Sequence, residues 1–177
     1  PNYYREERWE SSLARKFLKG KKSLLEIGCG RGYFLRSIEG MVDEAVGIEF
    51  NQDAIRNKVT KFPIVPARIE DFSKTRPASF DVVCSFQVLE HVTNPSTFIE
   101  SALACLVESG LLLLSTPDND SPTFKHQKDP FDLPPHHVGH FNAAVYRKLA
   151  ASFGLELVDV MHEWDETLPK ASVDSDP

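Results

Sequence analysis

The feature that most constrains this chain is an alternation. Short apolar runs closed by glycine, proline or an acid take turns with stretches of helical period. The runs are SLLEIG (23–28), AVGIEF (45–50), FPIVPARI (62–69), FDVVCSF (80–86), GLLLLSTP (110–117) and LELVDVMHEW (155–164). Between them lie GYFLRSIEG (32–40), NQDAIRNKVTKF (51–62), TNPSTFIESALACLV (93–107) and AAVYRKLAASF (143–153), each read as a helix. Several runs are apolar on both faces, which marks strands buried beneath helices on two sides. Strand and helix in strict turn predict an α/β, doubly wound, mostly parallel sheet with helices on both faces. In such a sheet ligands bind at the carboxyl ends of the strands.

The ends of the chain are organised differently. Residues 1–20 read as an amphipathic helix, with Trp9, Leu13 and Phe17 on one stripe and Gly20 as its stop. Residues 21–163 form the main domain. Within it, 117–141 is rich in Pro, Asp and His, lacks a period, and is too long for a plain connection, so a lid or acceptor loop is expected there. The polar tail 164–177 reads as disordered.

Composition excludes some classes. A net charge of −6 disfavours a general nucleic-acid surface, which needs a basic face. No apolar run approaches the roughly 20 residues of a membrane helix. Cys29, Cys84 and Cys105 are odd in number and form no CxxC, so a reducing, cytoplasmic setting is expected.

The chemistry-bearing stretches fall at strand ends. The first run closes in GCGRGYF, with Gly28, Gly30 and Gly32. Such a turn offers backbone N–H groups and a helix N-terminus to a ligand. A dinucleotide fingerprint would put its third glycine at 33, where Tyr33 stands, so the pattern is ExGxGxG led by Glu26. The bland alternative is a tight strand–helix turn. Glu49 ends the second run about 20 residues on, where an acid accepts from ribose hydroxyls. Alone it would be an exposed strand-end carboxylate. After the third run, ARIEDF offers Ile69 to a flat adenine face and Glu70 or Asp71 to an amine, or is an ordinary polar loop. The fourth run leads into FQVLEHV, with Phe86, Gln87, Glu90 and His91. Finally DLPPHHVGHF holds His136, His137 and His140, without a cysteine or carboxylate at zinc spacing, so no metal set is assigned.

Taken together, ExGxGxG, the acid after the second strand, the acidic turn after the third, FDVV…LEHV and GLLLLSTP resemble the class I S-adenosylmethionine-dependent methyltransferases, over roughly residues 20–160. The LEHV element is similar to the subgroup with the ubiquinone-pathway O-methyltransferases. The resemblance implies a Rossmann-like fold and S-adenosylmethionine as cofactor, with S-adenosylhomocysteine as product. It implies methyl transfer to an oxygen or nitrogen of a small-molecule acceptor. Glu26, Gly28, Cys29, Gly30, Gly32 and Tyr33 would form the methionine-side loop. Glu49 and Phe50 would lie at the ribose, Ile69 and Glu70 at the adenine, and Phe86 and Gln87 near the methyl group. Tyr3, Tyr4 and Arg5 would fold over the cofactor. His91, His137 and His140 are candidate bases. The family usually closes its sheet with a final antiparallel strand, for which no run is found here. Either the sheet ends early or the chain is a fragment of a longer protein with a further domain. A non-catalytic cofactor-binding domain and a nicotinamide-dependent oxidoreductase are the alternatives.

Overall fold

The structure, a computed structural model, describes residues 8–121 and 133–163. At its centre is β1 (Ser23–Ile27), paired in parallel with β2 (Glu44–Ile48) on one side and β4 (Phe80–Phe86) on the other. Leu24 and Leu25 of β1 are wholly buried, on opposite faces. The short β3 (Ile64–Val65) extends the sheet beyond β2, and β5 (Leu106–Ser115) extends it beyond β4. The order is β3-β2-β1-β4-β5, every pairing is parallel, and no antiparallel strand stands among the described residues.

Period-2 alternation sorts the strands into two cores. Leu25, Ile27, Val46, Ile48 and Val83 pack with α4 (Ile69–Thr75), α5 (Pro95–Cys105) and α6 (Ala143–Ser152). Leu24, Ala45, Val82 and Cys84 pack with α1 (Trp9–Lys16) and α2 (Tyr33–Ser37). Side-chain caps start three helices. Asn51 accepts from Asp53 and Ala54 N–H to open α3 (Gln52–Arg56), Asn94 accepts from Thr97 N–H at α5, and Asn142 accepts from Val145 N–H at α6. At the amino ends of the strands, Asp81 Oδ2 accepts from the N–H groups of Lys22 (2.7 Å) and Ser23 (2.9 Å), joining β4 to the start of β1.

Four expectations change. The run 155–164 forms no strand over 155–162. Leu155, Leu157, Val158 and Val160 instead line a cleft of about 820 Å³ together with Leu111 and Leu113 of β5. A strand exists only by its ladder, and this segment faces a gap where a partner strand would stand. Second, the helix expected over 51–62 is α3 alone, five residues long. Third, ARIEDF leads into helix α4, not a loop; Glu70 and Asp71 sit in its first turn, where the helix dipole favours them. Fourth, the inward face of α1 carries Glu10, Ser11, Leu13 and Ala14, while Trp9 and Phe17 are only half-buried. Tyr3, Tyr4, Arg5 and the tail 164–177 lie outside the described residues. Among the described residues no helix is long and apolar enough to cross a membrane.

Candidate functional site

A cleft of about 1400 Å³ opens at the carboxyl ends of β1, β2 and β4. It gathers Glu26, Gly28, Cys29, Gly30 and Tyr33 from the first strand–helix turn, Glu49 and Phe50 from the second, and Ile69 and Glu70 from α4. Phe86 and Gln87 come from the end of β4, and His91 and His137 complete the set. Gly32 and His140 do not line it.

The glycines act differently from one another. Gly28 has φ +74°, and a Cβ there would come within 2.4 Å of Val88 Cγ2. Gly32, at φ +78°, caps α2 and faces Thr60, whose Cγ2 a Cβ would meet at 2.6 Å. Gly32 thus fits the turn to the fold, behind the cleft. Four of the loop's backbone N–H groups have partners within the chain. Gly28 and Cys29 N–H both donate to Ile48 O, Gly32 N–H donates to Cys29 O, and Gly30 N–H donates to Glu49 Oε2 at 2.8 Å. The loop's donors are used to hold its own shape, and what it offers a ligand is room.

Carboxylates supply the polar character. Glu26 is 5% exposed, and its Oε2 has no hydrogen-bond partner among the described residues. Burial pushes its pKa up to about 8; Arg8 opposes the rise and Glu49 adds to it. Glu49 is fully engaged: Oε1 accepts from Phe50 N–H (2.7 Å) and Asn51 N–H (2.9 Å), while Oε2 holds Gly30. It ties the two glycine-side turns together. The Cys29 thiol is buried against Gly47 and pushed upward by burial, which makes it inert filling.

At the α4 end of the cleft, Ile69 is buried and Glu70 pairs with Arg68 at 3.4 Å. Phe50 is 62% exposed beneath the Arg68 guanidinium. At the other end Phe86 meets Phe34 edge to face, and Tyr33 carries Arg36 over its ring. Gln87 takes a left-handed φ of +57° and donates from Nε2 to Glu10 Oε1 at 3.0 Å.

Two participants, Arg8 and Glu10, escaped sequence reasoning, and the burial of a third, Glu90, was not legible there. Arg8 and Glu10 reach the cleft from the chain's start. Glu90, in the short 3-10 turn Leu89–His91, is 1% exposed, and its Oε2 lacks a partner among the described residues. Its backbone carbonyl accepts from Val138 and Gly139 N–H, pinning the histidine segment to the end of β4. The acidic letters of LEHV carried no sign of this burial. Only the register of the turn, with Leu89 and Glu90 both inward, reveals it.

Comparison with known proteins agrees with this geometry. Residues 2–160 match the family described as "Methyltransferase domain". A probable S-adenosylmethionine-dependent methyltransferase of Mycolicibacterium smegmatis is 30% identical over 142 residues, covering 79% of this chain and 54% of its own. A ubiquinone biosynthesis O-methyltransferase of Glaesserella parasuis is 36% identical over 110 residues, covering 56% and 46%. The chain spans about half the length of these curated relatives. Among solved structures, a SAM-dependent methyltransferase from Archaeoglobus fulgidus superposes with TM-score 0.65 at 21% identity, over 81% of this chain and 68% of that one. The plantazolicin methyltransferase solved with SAH gives 0.65 at 18%, over 81% and 61%. The parallel sheet and the cleft at its carboxyl ends are common to many nucleotide-binding enzymes, and the family match over residues 2–160 decides among them: the chain belongs to the class I S-adenosylmethionine-dependent methyltransferases.

Proposed function

We propose that the protein moves a methyl group from S-adenosylmethionine to an oxygen or nitrogen of a small-molecule acceptor. The observation that carries this is Glu26. A carboxyl buried at the end of the central strand, with Oε2 lacking a hydrogen-bond partner among the described residues and only the charge of Arg8 opposing the rise of its pKa, favours a cation that comes to it. The cofactor's ammonium group is such a cation, so the residues present fit it. Gly28 and Gly30 give its amino-acid end space, with Cys29 and Gly32 shaping the turn and Tyr33 at its side. Glu49 and Phe50 serve the ribose, Ile69 and Glu70 the adenine, and Phe86 and Gln87 the transferring end. When bound, the cofactor supplies a methyl already activated by the sulfonium charge.

The chain's own work is then placement and proton removal. His91 Nδ1 donates to His136 O at 2.8 Å in the tautomer that leaves Nε2 as the basic nitrogen. His91 and His137 both line the cleft, whereas His140 stands outside it and exposed. The net charge of −6 supports a small acceptor over bulk nucleic acid. Three buried, unpaired thiols support a reducing, cytoplasmic setting.

Calorimetry with S-adenosylhomocysteine tests the reading. The wild type binds it and does not bind NAD. Glu49→Ala, which releases three backbone N–H groups, weakens binding by about tenfold or more. A panel of hydroxyl and amine acceptors, read by released S-adenosylhomocysteine, separates an enzyme from a cofactor-binding domain. Binding without turnover on every acceptor would favour the latter.

A further inference from the structure

The histidine cluster goes further than a base requires. His91 stands at the end of β4, and His136 and His137 belong to a segment 45 residues away, yet the three rings meet. Ring centroids of His91 lie 4.8 Å from those of both His136 and His137, which are 5.1 Å from each other. One ligand nitrogen from each lies within 4.8 Å of the others. Imidazole bonds to a transition ion are about 2.0–2.1 Å, which places three nitrogens around one ion roughly 3–3.5 Å apart. A shift of about 1 Å per ring closes the set, and two of the rings sit on a half-exposed turn.

Two further observations point the same way. His91 Nδ1 is held by a backbone carbonyl, the arrangement that fixes the tautomer and aim of a metal-binding histidine. Beside it, Glu90 is 1% exposed with Oε2 unpartnered among the described residues, and its Oε1 is 3.9 Å from His91 Nε2. A general base needs one imidazole. Three clustered imidazoles, one of them beside a buried carboxylate, make a ligand set with its anionic support.

Resting on the methyltransferase reading above, we infer that His91, His136 and His137 form a facial site for one divalent transition ion of the zinc type, whose open position takes a hydroxyl oxygen of the acceptor. Neutral imidazoles select such ions over magnesium or calcium. With the ion in place, the imidazoles act as ligands and no longer as bases: the ion holds the acceptor as its oxyanion, and the hydroxyl proton leaves to solvent. Sequence spacing alone offered no such set, because its third member comes from another strand end.

The test titrates Co²⁺ into the tag-free, chelator-treated chain and reads the visible bands of a histidine-bound ion. The wild type takes up one equivalent with such bands. His91→Ala and His136→Ala weaken uptake by about tenfold or more. His162→Ala, which alters a histidine paired with Asp118 in the other cleft, leaves it unchanged. His136 is exposed, so its variant bears on the site without disturbing the core. Absence of bands in the wild type, or uptake by His91→Ala and His136→Ala as tight as that of the wild type, overturns the proposal. S-adenosylhomocysteine calorimetry on the same sample separates the two readings. Cofactor binding without ion uptake removes the ion alone, and loss of cofactor binding with and without Co²⁺ removes the methyltransferase reading beneath it.

Discussion

Replacing Glu26 with glutamine isolates the electrostatic cost of the cofactor loop. The pKa of Glu26 rises from 4.5 to about 8 in the folded chain, chiefly by burial, with Arg8 opposing and Glu49 adding. Below pH 4.5 both folded and unfolded chains hold the proton, and the contribution to stability is complete. Above it the unfolded chain releases the proton while the folded chain keeps it, so stability falls until the pH passes 8. The slope is about 1.4 kcal/mol per pH unit and slackens as the pH nears 8, so between pH 6 and pH 8 the loss is roughly 2 kcal/mol. Glutamine keeps the shape of the protonated acid and has no proton to lose. Urea unfolding of wild type and Glu26→Gln at pH 6, 7 and 8 measures the difference. Glu90, also raised to about 7, remains in both proteins and cancels. The Glu26→Gln protein gains on the wild type by roughly 2 kcal/mol across that range. Parallel curves would sink the reasoning, because they would mean that the Glu26 carboxyl is as well solvated folded as unfolded.

Two further outcomes follow from local geometry. Gly28→Ala lowers stability by about 2–4 kcal/mol in thermal or urea unfolding, from a left-handed φ plus overlap with Val88. Gly20→Ala has the same kind of φ and open space, so it costs only about 1 kcal/mol; equal losses would refute the role of Val88. Backbone N–H groups of Lys22 and Ser23 hold the Asp81 carboxyl below its ordinary range. The resulting stability is present above the unfolded pKa of 3.8 and is lost as the pH falls through the folded value. Asp81→Ala therefore costs about 1–2 kcal/mol at pH 7, a figure discounted for its partial exposure, and a vanishing amount in acid. A gap that persists unchanged in acid would contradict this.

Much of the framework was legible because it is local. Short apolar runs closed by glycine or an acid marked β1, β2 and β4, and the stretch TNPSTFIESALACLV marked the helix that is α5. Where the reading failed, the missing information was a distant neighbour. The leucines of 155–160 alternate as a strand does, but alternation does not supply a partner edge. α4 escaped because its apolar face is only Ile69 and Phe72, too few to show a period.

The candidate site divides in the same way. By itself the sequence determined that a glycine-rich turn follows the first apolar run, that Glu26 and Glu49 bracket it, and that an α/β chain of this order places both at strand ends. Each of these depends on residue type and near spacing. Only the tertiary structure decided that the loop's N–H groups are already engaged, and that Glu26 and Glu90 are buried with an oxygen unmet. It also decided that His91 joins His136 and His137 and leaves His140 aside. Burial and convergence arise from contacts across tens of residues, and closing the sheet over its crossovers is what brings those residues together.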